Sequence, residues 1–148
     1  MTAPAADRRF VGVWRLEAIR DSLSNGQAEG HPDFAPDPDG LLIYTESGYV
    51  SVQFMRRIRP PWHKDDDPTQ ASLAAAARGY GAYAGRFEVD EAAGAVHHHV
   101  EIALIPNRVG VTLTRFFSFA KDRLTLRPPR LRRGDVEVDR ALVWRRVA

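Results

Sequence analysis

Alternation of apolar and polar residues dominates the middle of the chain, from position 80 to position 119. In the segment YAGRFEV (83–89), odd positions carry Tyr, Gly, Phe and Val, whereas even positions carry Ala, Arg and Glu. Segments 96–105 and 111–119 follow comparable patterns around short turns. A period of two is typical of β-strands, because successive side chains point to opposite faces. The stretch therefore predicts three strands in an antiparallel meander.

Further strands are predicted on both sides of the meander. FVGVWRLEAI (10–19) predicts a first strand with Trp14, Leu16 and Ala18 on one face. LLIYTESGYVSVQFMR (41–56) predicts a hairpin, because two alternating runs flank a short turn that contains glycine. Both faces of its second strand could be buried, so the pattern alone leaves open which one points inward.

Two segments interrupt the strand pattern. Residues 21–40 are rich in Gly, Pro, Asp, Asn and Ser, which predicts a long loop, with Phe34 as its apolar anchor. The alanine-rich segment from Pro68 to Arg78 predicts a short helix that Asp67 caps at its N-terminus and that ends at Gly79.

The predicted elements together favour a mainly all-β fold. Residues 121–147 predict two or three further strands, so the chain would hold about eight to ten strands and one short helix. That number favours a closed antiparallel β-barrel over a sandwich. We expect residues 1–9 to form a disordered lead and residues 10–148 to form a single barrel domain.

Composition narrows the functional classes. The chain has 148 residues and no cysteine, which excludes disulfides, thiol nucleophiles and thiolate metal sites. Its 21 basic and 19 acidic residues are interspersed, so there is no concentrated basic face for nucleic acid. No run reaches the roughly 18 apolar residues that a membrane span requires. We therefore expect a cytoplasmic protein that binds neither nucleic acid nor membrane.

Three consecutive histidines lie in the middle strand of the meander. His97 and His99 share a face with Glu101, which is a spacing compatible with metal ligands. The alternative is a solvated cross-strand ladder of polar side chains, because Arg86 and Glu88 would lie on the matching face of the preceding strand.

The opposite face of these strands carries two polar residues among apolar ones. His98 shares a face with Val96, Val100, Ile102 and Leu104, which suits either a hydrogen-bonded core histidine or a pocket group that titrates near neutral pH. On the next strand, Arg115 has the same parity as four apolar residues: Val111, Leu113, Phe117 and Phe119.

A buried guanidinium needs a partner, and the register of the strands decides which. In one register Arg115 pairs with Glu101. In another it lies beside Ile102 and near His98, and a carboxylate, enolate or phenolate of a ligand becomes its partner.

Several stretches of the chain resemble the bacterial and fungal lipocalin-like domain family of small calycin-type barrels. The matching stretches are VGVWRLEAI, GLLIYTESGYVSVQFMR, YGAYAGRFEVDEAAGAVHHHVE, the IPN at 105–107, RFF, DRLTL and LVWRRV. The resemblance implies a barrel with a cavity for a small, largely apolar molecule. It implies no single reaction, since similar barrels act as cyclases or isomerases in natural-product pathways. The recurring positions of the family fall here on Trp14, Tyr44, Tyr49, Gln53, Tyr83, His98, His99, Glu101, Asn107 and Arg115.

Three functional hypotheses follow. The first is a binding barrel for a small aromatic or polyketide-like molecule, with Arg115 and Gln53 orienting its polar end. Its expected ligand-binding residues are Trp14, Tyr49, Gln53, Tyr83, Phe87, Asn107 and Phe117. The second is a cyclase, isomerase or dehydratase without a cofactor. In it, His98 or His99 is the general acid or base and Arg115 stabilises an oxyanion. Glu101 orients the histidine and the arginine or balances their charge. The third is a metal-dependent barrel that uses His97, His99 and Glu101.

Overall fold

The computed structural model describes residues 7–63 and 68–148. Residues 1–6 of the expected lead and Asp67 lie outside this part of the chain. The described residues form ten strands, one helix and one 3-10 turn. The elements are β1 (Gly12–Leu23), β2 (Ala28–Gly30), β3 (Pro38–Tyr44), β4 (Tyr49–Arg56), α1 (Gln70–Arg78), β5 (Tyr80–Asp90), β6 (Ala95–Ala103), a 3-10 turn (Pro106–Arg108), β7 (Thr112–Ala120), β8 (Arg123–Arg127), β9 (Leu131–Arg133) and β10 (Val136–Arg146).

Eight of the strands close into an antiparallel barrel in the order β1-β3-β4-β5-β6-β7-β8-β10, with β10 returning to β1. The two short strands extend this ring. β2 pairs with the same edge of β1 as β3, and β9 pairs with the same edge of β10 as β8. The closed all-β barrel with one short helix that the sequence predicts is thereby confirmed.

The predicted helix is present, but Thr69 is its N-cap, and the Thr69 side chain accepts a hydrogen bond from the Ser72 backbone N–H at 3.1 Å. The N-cap is therefore Thr69 and not the predicted Asp67, which lies outside the described residues. The predicted anchor of the long loop is confirmed, because Phe34 is buried and its ring packs against Phe54 at 5.0 Å between centroids.

A bulge in β1 changes which of its residues face inward. The pairing with β10 skips Glu17, so Leu16 opposes Trp144 and Ala18 opposes Val143. Trp14 and Leu16 are buried as predicted, but after the bulge Ile19 and Asp21 face inward instead of Ala18. The strand also runs through Asp21, where a loop was predicted. The Asp21 carboxylate can be buried there because Arg140 on β10 binds both of its oxygens, at 2.8 and 2.9 Å.

A second bulge lies opposite Gly85. Ala84 opposes Ile102 and Gly85 opposes Val100, so Glu101 is the extra residue of β6. The prediction that Ile102 and Leu104 share the inner face with His98 is therefore wrong, and both are exposed. One inserted residue shifts the parity of every side chain after it.

Aromatic side chains fill the barrel end at which β1 begins. Phe10 lies in a turn before β1, is fully buried and packs edge-on against Tyr44, Phe117 and Phe119. The Arg9 guanidinium lies over Phe117 and Phe119 and pairs with Asp7 and Glu91. These side chains close this end of the barrel.

The second bulge depends on the absence of a side chain at Gly85. A Cβ there would lie 1.8 Å from the His99 carbonyl oxygen. We predict that Gly85→Ala lowers the free energy of unfolding by about 3 kcal/mol or more, because the contact is with backbone that cannot move without breaking the sheet. Urea unfolding measures this. Gly79→Ala is the control, since its Cβ would meet no atom closer than 3.4 Å, and an equal loss in both variants would contradict the explanation.

Candidate functional site

A histidine between two tyrosines forms the polar centre of the barrel. His98 on β6 is 1% exposed. Its Nε2 lies 2.7 Å from the hydroxyl of Tyr44 at the end of β3, and its Nδ1 lies 2.6 Å from the hydroxyl of Tyr83 on β5. β3, β5 and β6 direct these three side chains into the barrel. Both ring nitrogens of His98 therefore have a hydrogen-bond partner.

All three groups are neutral in this environment. Burial, with a further contribution from the charge of Arg115, lowers the pKa of His98 to about 3. Burial also raises the pKa of both Tyr44 and Tyr83. A neutral imidazole has one donor and one acceptor nitrogen, so one tyrosine donates to His98 and the other accepts from it. The trio is a directional chain of hydrogen bonds that can hold or pass one proton.

Arg115 places a positive charge beside this chain. It lies on β7 opposite Val96, and its side chain points toward the barrel interior. Its Nη1 donates a hydrogen bond to the Thr114 carbonyl at 3.0 Å. Burial lowers the Arg115 pKa below its ordinary value, although arginine remains charged.

The register excludes the predicted pairing of Arg115 with Glu101. Glu101 is the bulge residue of β6 and its side chain is exposed on the outer wall. Within the described residues, Arg115 has no carboxylate within ion-pair distance. The alternative prediction, a guanidinium near His98, agrees with the structure, except that Val96 rather than Ile102 is the neighbour across the strand.

The predicted ligand-binding residues divide between the two sides of the barrel wall. Trp14, Tyr83 and Phe87 are buried inside, and Phe117 packs against the same core. Tyr49 is 39% exposed on the outer face, where the Arg86 guanidinium stacks on its ring. Asn107 is exposed in the 3-10 turn. The outward position of Tyr49 follows from the alternation in β4, whose Val50 and Val52 are the buried residues.

Gln53 is also outside the barrel, where it accepts a hydrogen bond from the Tyr80 hydroxyl. It lines an open depression of about 210 Å³ on the outer wall together with Leu41, Met55 and Tyr80. The expectation that Gln53 and Tyr49 contact a ligand inside the barrel is therefore not met. Tyr44, a recurring position of the family that is not among the predicted ligand-binding or catalytic residues, faces inward and contacts His98. The signal in the sequence is the alternation along β3, which places Tyr44 on the same face as the apolar Leu42.

The other two histidines of the run form a polar ladder on the outer wall. His99 contacts Thr112 Oγ1 at 2.8 Å and Glu88 Oε1 at 3.0 Å, while His97 contacts Thr114 Oγ1 at 3.0 Å. Among the residues that the structure describes, no three His, Asp or Glu side chains are placed to hold a metal ion. His97, His99 and Glu101 are not brought together as a metal site, and His99 and Glu101 do not face the interior where the catalytic hypothesis needs them.

Comparison with known families agrees with this architecture. Residues 11–147 match the model of the lipocalin-like domain. The chain belongs to the lipocalin-like domain family. No curated protein and no solved structure matches it. Over the two described ranges, no helix is long and apolar enough to span a membrane.

The buried neutral His98 makes the stability of this lipocalin-like barrel depend on pH. Its pKa is about 3 in the folded state and 6.5 in the unfolded state, so the unfolded chain takes up the proton first. Stability is therefore complete above pH 6.5 and is lost as the pH falls toward 3. We predict that this loss approaches about 1.4 kcal/mol per pH unit and is absent in His98→Gln.

Urea unfolding at a series of pH values from 7 to 4 measures this dependence. His99→Gln is the matched control, because it changes an exposed histidine of the same strand and leaves His98 in place. If His98→Gln keeps the full pH dependence of the original protein, His98 is not a buried neutral group.

Proposed function

We propose that this protein binds a small, largely apolar molecule with an acidic group, and that Arg115 binds that group. The single observation that carries the proposal is the Arg115 guanidinium, which points into the barrel and has no carboxylate partner among the described residues. A buried charge without a counter-ion is costly, and an anionic ligand would remove that cost.

The surroundings of Arg115 support an apolar ligand body. Tyr83, Phe87 and Val100 are buried on neighbouring strands, and Leu113 and Phe117 on β7 pack against the same core. Pockets for small molecules are mostly apolar with a few convergent polar groups. The Tyr83 hydroxyl, which contacts His98, is the additional polar group at this site.

The acidic group should be a carboxylate, enolate or phenolate. Bidentate contact with a planar guanidinium favours a planar anion with two oxygens, and such charge-assisted hydrogen bonds are roughly twice as strong as neutral ones. A matched pair of compounds, naphthalene carboxylate and the neutral naphthamide, therefore tests the proposal because the two differ mainly in charge.

We predict by calorimetry that the carboxylate binds about 30-fold or more tightly than the amide, equivalent to about 2 kcal/mol. Arg115→Gln should remove this preference. Arg115→Lys should restore it only in part, because lysine keeps the charge but lacks the planar fork.

The control variant is Arg86→Gln, which removes an arginine from the outer wall of the same sheet and should leave binding unchanged. If the carboxylate and the amide bind equally, or if Arg115→Gln binds the carboxylate as the original protein does, Arg115 is not the anion-binding group.

A second candidate function is a cyclase, isomerase or dehydratase without a cofactor. The observation that favours it is the Tyr44–His98–Tyr83 chain, which ends beside the positive charge of Arg115. Because both nitrogens of His98 are occupied, Tyr83 would exchange a proton with the substrate and His98 would relay it. Arg115 would stabilise the developing enolate.

Deuterium uptake from heavy water into an enolisable aryl ketone, followed by NMR, tests this activity. General acid–base catalysis typically contributes about 10²–10⁴-fold, so Tyr83→Phe should lower the rate about a hundredfold. Tyr49→Phe on the outer wall should not change it. If the original protein gives no uptake above buffer, this second candidate fails and the binding function is unaffected.

A further inference from the structure

The barrel wall is interrupted between β7 and β8. The two strands pair from Phe116–Arg127 to Ala120–Arg123 only. The first four residues of β7, Thr112 to Arg115, have no ladder partner on this side among the described residues. We call this interruption the seam.

Two hydrogen bonds establish which backbone groups face the seam. The Phe117 N–H donates to Gly94 O at 3.0 Å, and the Val100 N–H donates to Val111 O at 2.9 Å. In an antiparallel pair such groups alternate, so the odd-numbered residues of β7 direct their N–H and C=O toward β6. The N–H and C=O groups of Thr112 and Thr114 therefore point into the seam.

The sequence after β8 explains the interruption. Continuing the Phe116–Arg127 register by two residues would bring Pro129 opposite Thr114, at the position where a backbone N–H would donate to the Thr114 carbonyl. Proline has no N–H. The Arg115 Nη1 donates to that carbonyl instead, at 3.0 Å. The guanidinium thus takes the place of the missing donor.

We propose that the seam is the site at which the acidic group of the ligand binds and through which the ligand passes. This inference rests on the proposed function. The anion displaces the Thr114 carbonyl from Arg115 and accepts a second hydrogen bond from the Thr114 N–H. An anion is the stronger acceptor for a guanidinium, so the exchange is favourable.

Exposed apolar side chains near the seam suit the rest of such a molecule. Val111 is 40% exposed just before β7, Phe116 is 43% exposed where pairing with β8 begins, and Leu131 is 39% exposed beyond the two prolines. The opposite route is blocked, because Phe10 and its aromatic neighbours close the barrel end at which β1 begins.

NMR of the nitrogen-labelled full chain locates the bound anion. On addition of naphthalene carboxylate, we expect the largest shifts at the Arg115 Nε–H and at the amides of Thr112 and Thr114, and little change at the Arg86 Nε–H on the outer wall. Hydrogen exchange of the Thr114 amide should slow when the carboxylate is bound. Binding without any change at these groups would overturn the assignment to the seam.

A pair of proline variants tests the route. Pro129→Ala restores the N–H that would pair with Thr114, whereas Pro128→Ala restores one opposite Arg115, whose own backbone groups face β6. We expect Pro129→Ala to slow the association of naphthalene carboxylate about fivefold, because one more net hydrogen bond must break before the anion enters the seam. Pro128→Ala should leave the association rate unchanged.

Stopped-flow fluorescence of the carboxylate measures these rates. Equal rates in the two variants and the original protein would show that the seam is not the route. The two proposals fail differently. If naphthalene carboxylate does not bind at all, the proposed function is wrong, whereas binding that depends on Arg115 but does not perturb Thr112 or Thr114 contradicts only the seam.

Discussion

The ladder between β1 and β10 is the interaction on which the rest of the structure depends. It joins the first strand to the last, from Trp14–Arg146 to Leu23–Val138, and turns an eight-strand sheet into a ring. Closure pairs the first and last strands of the sheet with each other and creates an inside. Only because the ring is closed do side chains from β3, β5, β6 and β7 converge on one enclosed centre.

A polar side chain in that enclosed centre needs a hydrogen-bond or ion-pair partner, because water does not reach it. His98 is tolerated because Tyr44 and Tyr83 satisfy both of its nitrogens, and burial keeps it neutral. Asp21 is tolerated because Arg140 and Arg133 bind it. Arg115 differs from both, since within the described part of the chain its guanidinium donates only to the neutral Thr114 carbonyl. This difference is the basis for the proposal that Arg115 binds an anion.

The places where the wall departs from a regular ladder also determine the site. The bulge at Glu101 directs that carboxylate outward and lets Gly85 fit against the His99 carbonyl. The two prolines after β8 leave the Thr114 carbonyl to the Arg115 guanidinium. The first irregularity keeps a carboxylate away from Arg115, and the second gives the guanidinium a neutral backbone partner.

The sequence by itself determined most of the strands, the helix and the all-β class, because the period of two and the turn residues are local properties of the chain. The same alternation also indicated that His98 and Arg115 each share a face with apolar residues. Only the tertiary structure decided the outward positions of Tyr49, Gln53, His99 and Glu101, and the contact of His98 with Tyr44. The physical reason is register: a single bulge residue reverses the face of all later side chains, and the pairing of distant strands selects the partner of each buried group.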